Sequence, residues 1–78
     1  MSTAAELRPA RGQWTARDLD ALPLLTDLPT AASILNMGTT KARELARTGQ
    51  FPVRLIKHGE RYAVPVAALR RLLVEADQ

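Results

Sequence analysis

Hydrophobic positions along this chain follow a helical period in one stretch and a strand period in the next. Leu28, Ala31, Ala32 and Leu35 sit at i, i+3, i+4 and i+7, the spacing that gathers side chains on one helix face. Thr26 or Asp27 stands where an N-cap belongs, and Pro29 is tolerated in the first turn because its missing N–H has no helical partner to lose. Asn36-Met37-Gly38 then interrupts the pattern, and Ala42, Leu45, Ala46 and Gly49 repeat the same offsets, with Gly49 placed to end the second helix. The spacing predicts two short helices joined by about three residues, with small alanines on both inward faces that let the axes approach closely, as a helix-turn-helix requires.

Beyond Phe51-Pro52 the period drops to two. Val53, Leu55 and Lys57 alternate with Arg54, Ile56 and His58, and past Gly59 the segment Arg61-Tyr62-Ala63-Val64 alternates again. A hairpin is expected, turning at His58-Gly59-Glu60, with either His58-Gly59 or Gly59-Glu60 as its two-residue loop. Both registers put Leu55, Tyr62 and Val64 on one face, which packs on the helices. Pro65 closes the strand and opens a last helix, in which Val66, Leu69, Leu72, Leu73 and Ala76 form an apolar stripe and Arg70, Arg71 and Glu75 lie off it. The expected fold is mostly α with a small β-hairpin, a winged helix-turn-helix in the order helix, turn, helix, two-stranded wing, helix.

The N-terminal part is patterned differently. Residues 1–13 are small, polar and aperiodic, interrupted by Pro9 and Gly12, and read as a disordered arm. Thr15 with Asp18 resembles a capping box in which Asp replaces the usual Glu or Gln, and Trp14 and Leu19 occupy the positions of a hydrophobic staple. A short helix over 16–22 follows, ended by Pro23. So few residues do not hold a helix alone, which leaves the segment docked on the domain, bound to a partner or frayed. The expected division is a flexible arm over 1–24, carrying this helix, and a winged helix-turn-helix domain over 25–78.

Composition narrows the function. At 78 residues the chain makes one domain, and a core of that size leaves little to line a deep substrate pocket. With no cysteine, disulfides, thiolate metal sites and cysteine nucleophiles are excluded. His58 is the one histidine and falls in a turn, and no serine or carboxylate has an evident partner for nucleophilic or acid–base work. No enzyme activity, cofactor or metal site is expected. The first residues hold no apolar stretch of signal-peptide length, and no run approaches the roughly 18 apolar residues of a membrane span. A cytoplasmic protein without a membrane partner is expected.

Charge changes the picture more than composition does. The net charge is +3, yet residues 1–24 carry three bases and three acids and are neutral. From Thr39 to Tyr62 there are six bases (Lys41, Arg43, Arg47, Arg54, Lys57, Arg61) against two acids (Glu44, Glu60), so +4 lies within 24 residues. With Ala42, Leu45 and Ala46 turned inward, Thr39, Thr40, Lys41, Arg43, Glu44 and Arg47 surround the outward face of the second helix. That is a polar, basic surface suited to a major groove. Lys57, His58 and Arg61 at the hairpin tip are placed to reach the flanking backbone or the minor groove. Scattered bases would indicate no more than a solvated surface, whereas bases gathered on the second helix and the hairpin point to duplex DNA.

Single residues carry alternatives. Arg43 suits a bidentate contact to guanine or a phosphate contact. Thr39 and Thr40 are capping hydroxyls or phosphate donors. Glu44 accepts from a cytosine amino group or pairs with Lys41 or Arg47. Tyr62 is core first, with its hydroxyl at the edge. Trp14 is a docking anchor or the start of a partner-binding segment.

From about residue 25 to 73 the chain resembles the small winged helix-turn-helix domains of the excisionase type, related to the DNA-binding domain of MerR-like regulators. The resemblance rests on Leu25-Thr26 leading into Ala31-Ala32-Ser33-Ile34-Leu35, on the 39–47 helix ending in Gly49-Gln50-Phe51-Pro52, and on Gly59-Glu60-Arg61-Tyr62-Ala63-Val64-Pro65 followed by Ala68-Leu69. It implies a protein of a phage, plasmid or integrative element that binds short repeated sites, bends DNA and assists an integrase in excision without cutting DNA itself. Carried over by position, recognition-helix contacts fall on Thr39, Thr40, Lys41, Arg43 and Arg47, and wing contacts on Lys57, His58 and Arg61. Two positions depart from the pattern: Gly38 stands where relatives have a Ser or Thr cap, and Glu60 where relatives often carry Arg. The implied partners are double-stranded DNA and a recombinase, met by a protein that is monomeric in solution and works in several copies on adjacent sites. The same fold also serves transcriptional regulators, and a protein-interaction module using residues 14–22 is the competing class.

Overall fold

The computed structural model describes residues 9–76. Within them the chain forms helix α1 (Ala16–Asp20), strand β1 (Leu25–Asp27), helices α2 (Leu28–Ile34) and α3 (Thr39–Arg47), strands β2 (Ile56–His58) and β3 (Arg61–Pro65), and helix α4 (Val66–Ala76). The longest helix has 11 residues, a length that is marginal in isolation, so each element is held by what it packs on. The described residues make a small α/β domain of four helices and one three-stranded antiparallel sheet of order β1-β3-β2.

The two helices read from the 3.6-residue period are present. Asp27 is the N-cap of α2, its carboxylate accepting from the Thr30 N–H at 2.9 Å, and Pro29 lies in the first turn. α2 ends where Asn36 takes a φ of 60°, with the Asn36 N–H donating to Ser33 O and the Met37 N–H to Ala32 O. α3 ends in the same way: Gly49 has a φ of 75°, and Gly49 and Gln50 donate to Ala46 O and Leu45 O. Both are Schellman endings, in which a left-handed residue folds the last orphan carbonyls back onto the chain. The first of them makes the tight turn between α2 and α3.

The hairpin register pairs Ile56 with Ala63, Lys57 with Tyr62 and His58 with Arg61, so the loop is Gly59-Glu60, with Gly59 at a φ of 63°. As either register required, Val64 is fully buried and Leu55 and Tyr62 pack against the core. The alternation that begins at Val53 does not extend the strand that far, and β2 starts at Ile56. Continuing the register would set Arg54 opposite Pro65, whose nitrogen carries no proton to donate.

Three expectations are corrected. The hairpin is not a two-stranded unit, because Leu25–Asp27 pairs with β3 as a third strand, Thr26 facing Val64. Helix α1 ends at Asp20, two residues before the expected Leu22, with Ala21 as its C-cap. Residues 9–13, expected to lack structure, hold a turn in which the Gln13 N–H donates to Ala10 O, and the Gly12 N–H donates to Ser33 O at 2.9 Å. Residues 1–8 of the expected arm lie outside the described residues.

The segment after this turn is docked. Thr15 and Asp18 form the capping box expected of them, each side chain bonded to the other's backbone N–H. The Trp14 indole N–H donates to Ser33 Oγ at 2.9 Å, and the Arg70 guanidinium of α4 holds the Asp20 carboxylate. Leu19 is buried in the same core as Leu28, Ala31, Ala32, Ile34, Ala42, Val64, Val66 and Leu69. No helix among the described residues is long and apolar enough to cross a membrane.

Candidate nucleic-acid interface

Two elements bring the basic residues together. α3 buries Ala42 against α2 and half-buries Leu45 and Ala46, which leaves Thr39, Thr40, Lys41, Arg43, Glu44 and Arg47 exposed. The N-cap of α3 is Gly38, which has no side chain to offer, so neither Thr39 nor Thr40 is the capping residue. Arg47 pairs with Glu44 at 3.3 Å, one of the two partners open to that acid. Both side chains are more than half exposed, so the pair holds Arg47 only loosely.

Lys57 faces α3 across a surface depression lined by Arg43, Arg47, Lys57, Gly59, Glu60 and Tyr62. The register explains why: Lys57 stands opposite Tyr62, and that face of the sheet is the one that covers the helices. A second depression continues from Arg47 and Lys57 to Phe51, Val53, Arg54 and Leu55, past the C-terminal end of α3. Together they form a seam between α3 and the hairpin with Arg43, Arg47, Lys57 and Arg54 along it. Its half-buried floor includes Ala46, Phe51, Leu55 and Tyr62, apolar surface against which long cationic side chains can lay their stems.

Arg54 is one of the six bases but lies outside the contact set that the sequence indicates. Strand alternation put it on the face opposite Lys57, and that inference fails because the chain bends through Pro52 and Val53 and becomes regular only at Ile56. His58 goes the other way. It pairs with Arg61 on the outer face of the sheet, in a depression with Pro23, Leu25, Ile56 and Ala63, where Leu25 and Ile56 are 45% and 44% exposed. Arg61 borders that outer depression and also one shared with Arg43, Glu60, Asp27 and Pro29. The tip set therefore divides: Lys57 joins the seam, Arg61 borders both faces, and His58 stands apart from α3.

Among the described residues no three His, Cys, Asp or Glu side chains gather as metal ligands would. In comparisons with protein-family models, curated proteins and solved structures, no match to this chain emerges.

Proposed function

We propose that this protein is a winged helix-turn-helix domain that binds duplex DNA sequence-specifically, with α3 in the major groove and the β2–β3 hairpin as a wing on the flanking backbone. The observation that carries the reading is the seam, in which bases from α3 (Arg43, Arg47), from the connecting loop (Arg54) and from the hairpin (Lys57) border two adjoining depressions that share Arg47, Lys57 and Tyr62. A solvated surface has no reason to align bases from three segments. Against a phosphate backbone, each neutralised charge releases a condensed counterion. Arg43, at the middle of the exposed face of α3, is assigned to a base edge, and Lys41, Arg47, Arg54, Lys57 and Arg61 to phosphates.

The excisionase role, with repeated sites, bending and an integrase partner, rests on the resemblance of residues 25–73 and is proposed on that ground. The competing use of residues 14–22 as a partner-binding segment is disfavoured, because Leu19 is already buried and Trp14 is bonded to Ser33.

Fluorescence anisotropy on random and gene-flanking duplexes across a salt series tests the proposal. The expected log–log slope is about −4 to −6, near five phosphate contacts at ~0.9 each. Arg43→Ala is expected to lose about 1–3 kcal/mol on the preferred duplex and little on random sequence. Salt-independent binding, or none at low salt, overturns the reading. Loss of bending in a circular-permutation gel would remove the excisionase role while leaving DNA binding intact.

A further inference from the structure

Three acids border the basic face, and two of them are engaged. Asp27 caps α2 through the Thr30 N–H at 2.9 Å, and Glu44 pairs with Arg47 at 3.3 Å. Glu60 is exposed and makes no hydrogen bond or ion pair among the described residues, although it borders both depressions that Arg43 lines. Its neighbours there are Arg43, Arg47 and Lys57 on one side and Arg61 on the other. The register fixes this placement, since Glu60 is the second residue of a two-residue loop between His58 and Arg61 and cannot be drawn back along either strand.

We propose that Glu60, which shares both depressions with Arg43 and so stands on the α3 side of the wing at the edge of the major groove, is a specificity-determining residue, which accepts a hydrogen bond from a cytosine N4 amino group there and disfavours duplexes that offer no such donor. The inference rests on the DNA-binding reading above. An acceptor-only carboxylate beside Arg43 meets two different surroundings. On arbitrary sequence it faces phosphates and acceptor-rich base edges, and repulsion weakens the complex. Where the amino group of a cytosine is presented, the same oxygen gains a partner and that repulsion is offset. The neighbouring Arg47, Lys57 and Arg61 capture any duplex through its phosphates, and an uncommitted acid among them raises the ratio of specific to non-specific binding at some cost in total affinity.

The test uses the full chain, with Glu60→Gln and Glu60→Ala as variants, each checked for unchanged far-ultraviolet circular dichroism. Sites are selected from a duplex pool with a randomised core, and affinities for the recovered site and a scrambled duplex are measured across a salt series. Both variants are expected to bind the scrambled duplex about 3- to 10-fold more tightly, with a slope steeper by up to about 0.9. One position that selects cytosine with the native protein is expected to lose that preference in Glu60→Ala and to move toward adenine in Glu60→Gln. Variants that recover the native motif unchanged, with both duplexes tightened equally or not at all, overturn the proposal and leave DNA binding standing. A native protein with no salt-dependent duplex binding overturns both.

Discussion

Gly12 and Asn36 meet where the N-terminal turn touches the turn between α2 and α3. Gly12 has a φ of 80°, and a Cβ built on it would lie 2.9 Å from Asn36 Cγ and Oδ1. Asn36 is itself left-handed, so its Cβ, 3.3 Å from that position, is held by the helix ending, while its carboxamide must turn aside. Arg11 Nε donates to Asn36 Oδ1 at 3.4 Å across the same contact. Gly12→Ala is therefore expected to destabilise the fold by about 1–3 kcal/mol, combining backbone strain with a side-chain clash, as read from the urea midpoint at unchanged m-value. In the sequence Gly12 only punctuates a polar stretch. Nothing local says that its missing Cβ makes room for a residue 24 positions away.

At the level of elements, signals within one helix or one hairpin are legible in the sequence, and the pairing of a strand distant along the chain is not. The caps of α1 and α2, the Schellman ending of α3 and the inward alanines all depend on residues within a turn of one another. Gly49 isolates one such signal, because a Cβ there meets nothing within 4 Å and only the φ of 75° opposes it. Gly49→Ala is expected to cost about 1 kcal/mol and Gly49→Asn less, which for a domain of this size lowers the thermal midpoint by roughly 4–8 °C for alanine. Strand β1 was missed because three residues are too few to establish a period of two, and the same residues read as a helix cap, which Asp27 also is. The strand exists because β3 has an open edge on that side. The limits of β2 likewise follow from its partner, through Pro65.

Across the whole molecule, one core joins segments that the sequence divides at residue 24. Leu19 from the N-terminal part packs with Val66 and Leu69 of α4 and with the α2 side chains, and the contacts Trp14–Ser33 and Asp20–Arg70 cross the same boundary. Leu19→Ala is expected to destabilise the entire domain by about 2–5 kcal/mol in one cooperative transition. A separate early melting of α1, with the remaining domain unaffected in calorimetry, would show that the segment is an appendage. The basic seam is likewise a property of the whole, since Arg54, Lys57 and Arg43 belong to three segments that meet only after the hairpin has folded over α3.

The sequence by itself determined the two short helices and the turn between them, the hairpin, the face that Leu55, Tyr62 and Val64 share, the apolar stripe of α4, and the concentration of charge between Thr39 and Tyr62. Each of these follows from periodicity, capping or composition, which act over a few neighbouring residues. Tertiary structure alone decided the third strand, the docking of residues 12–22, the close approach of Gly12 to Asn36, and the bend before β2 that brings Arg54 to the α3 seam beside Lys57. Those features depend on strand register and on which surfaces remain to be buried once the first elements have packed, and neither is written in the spacing of any one segment.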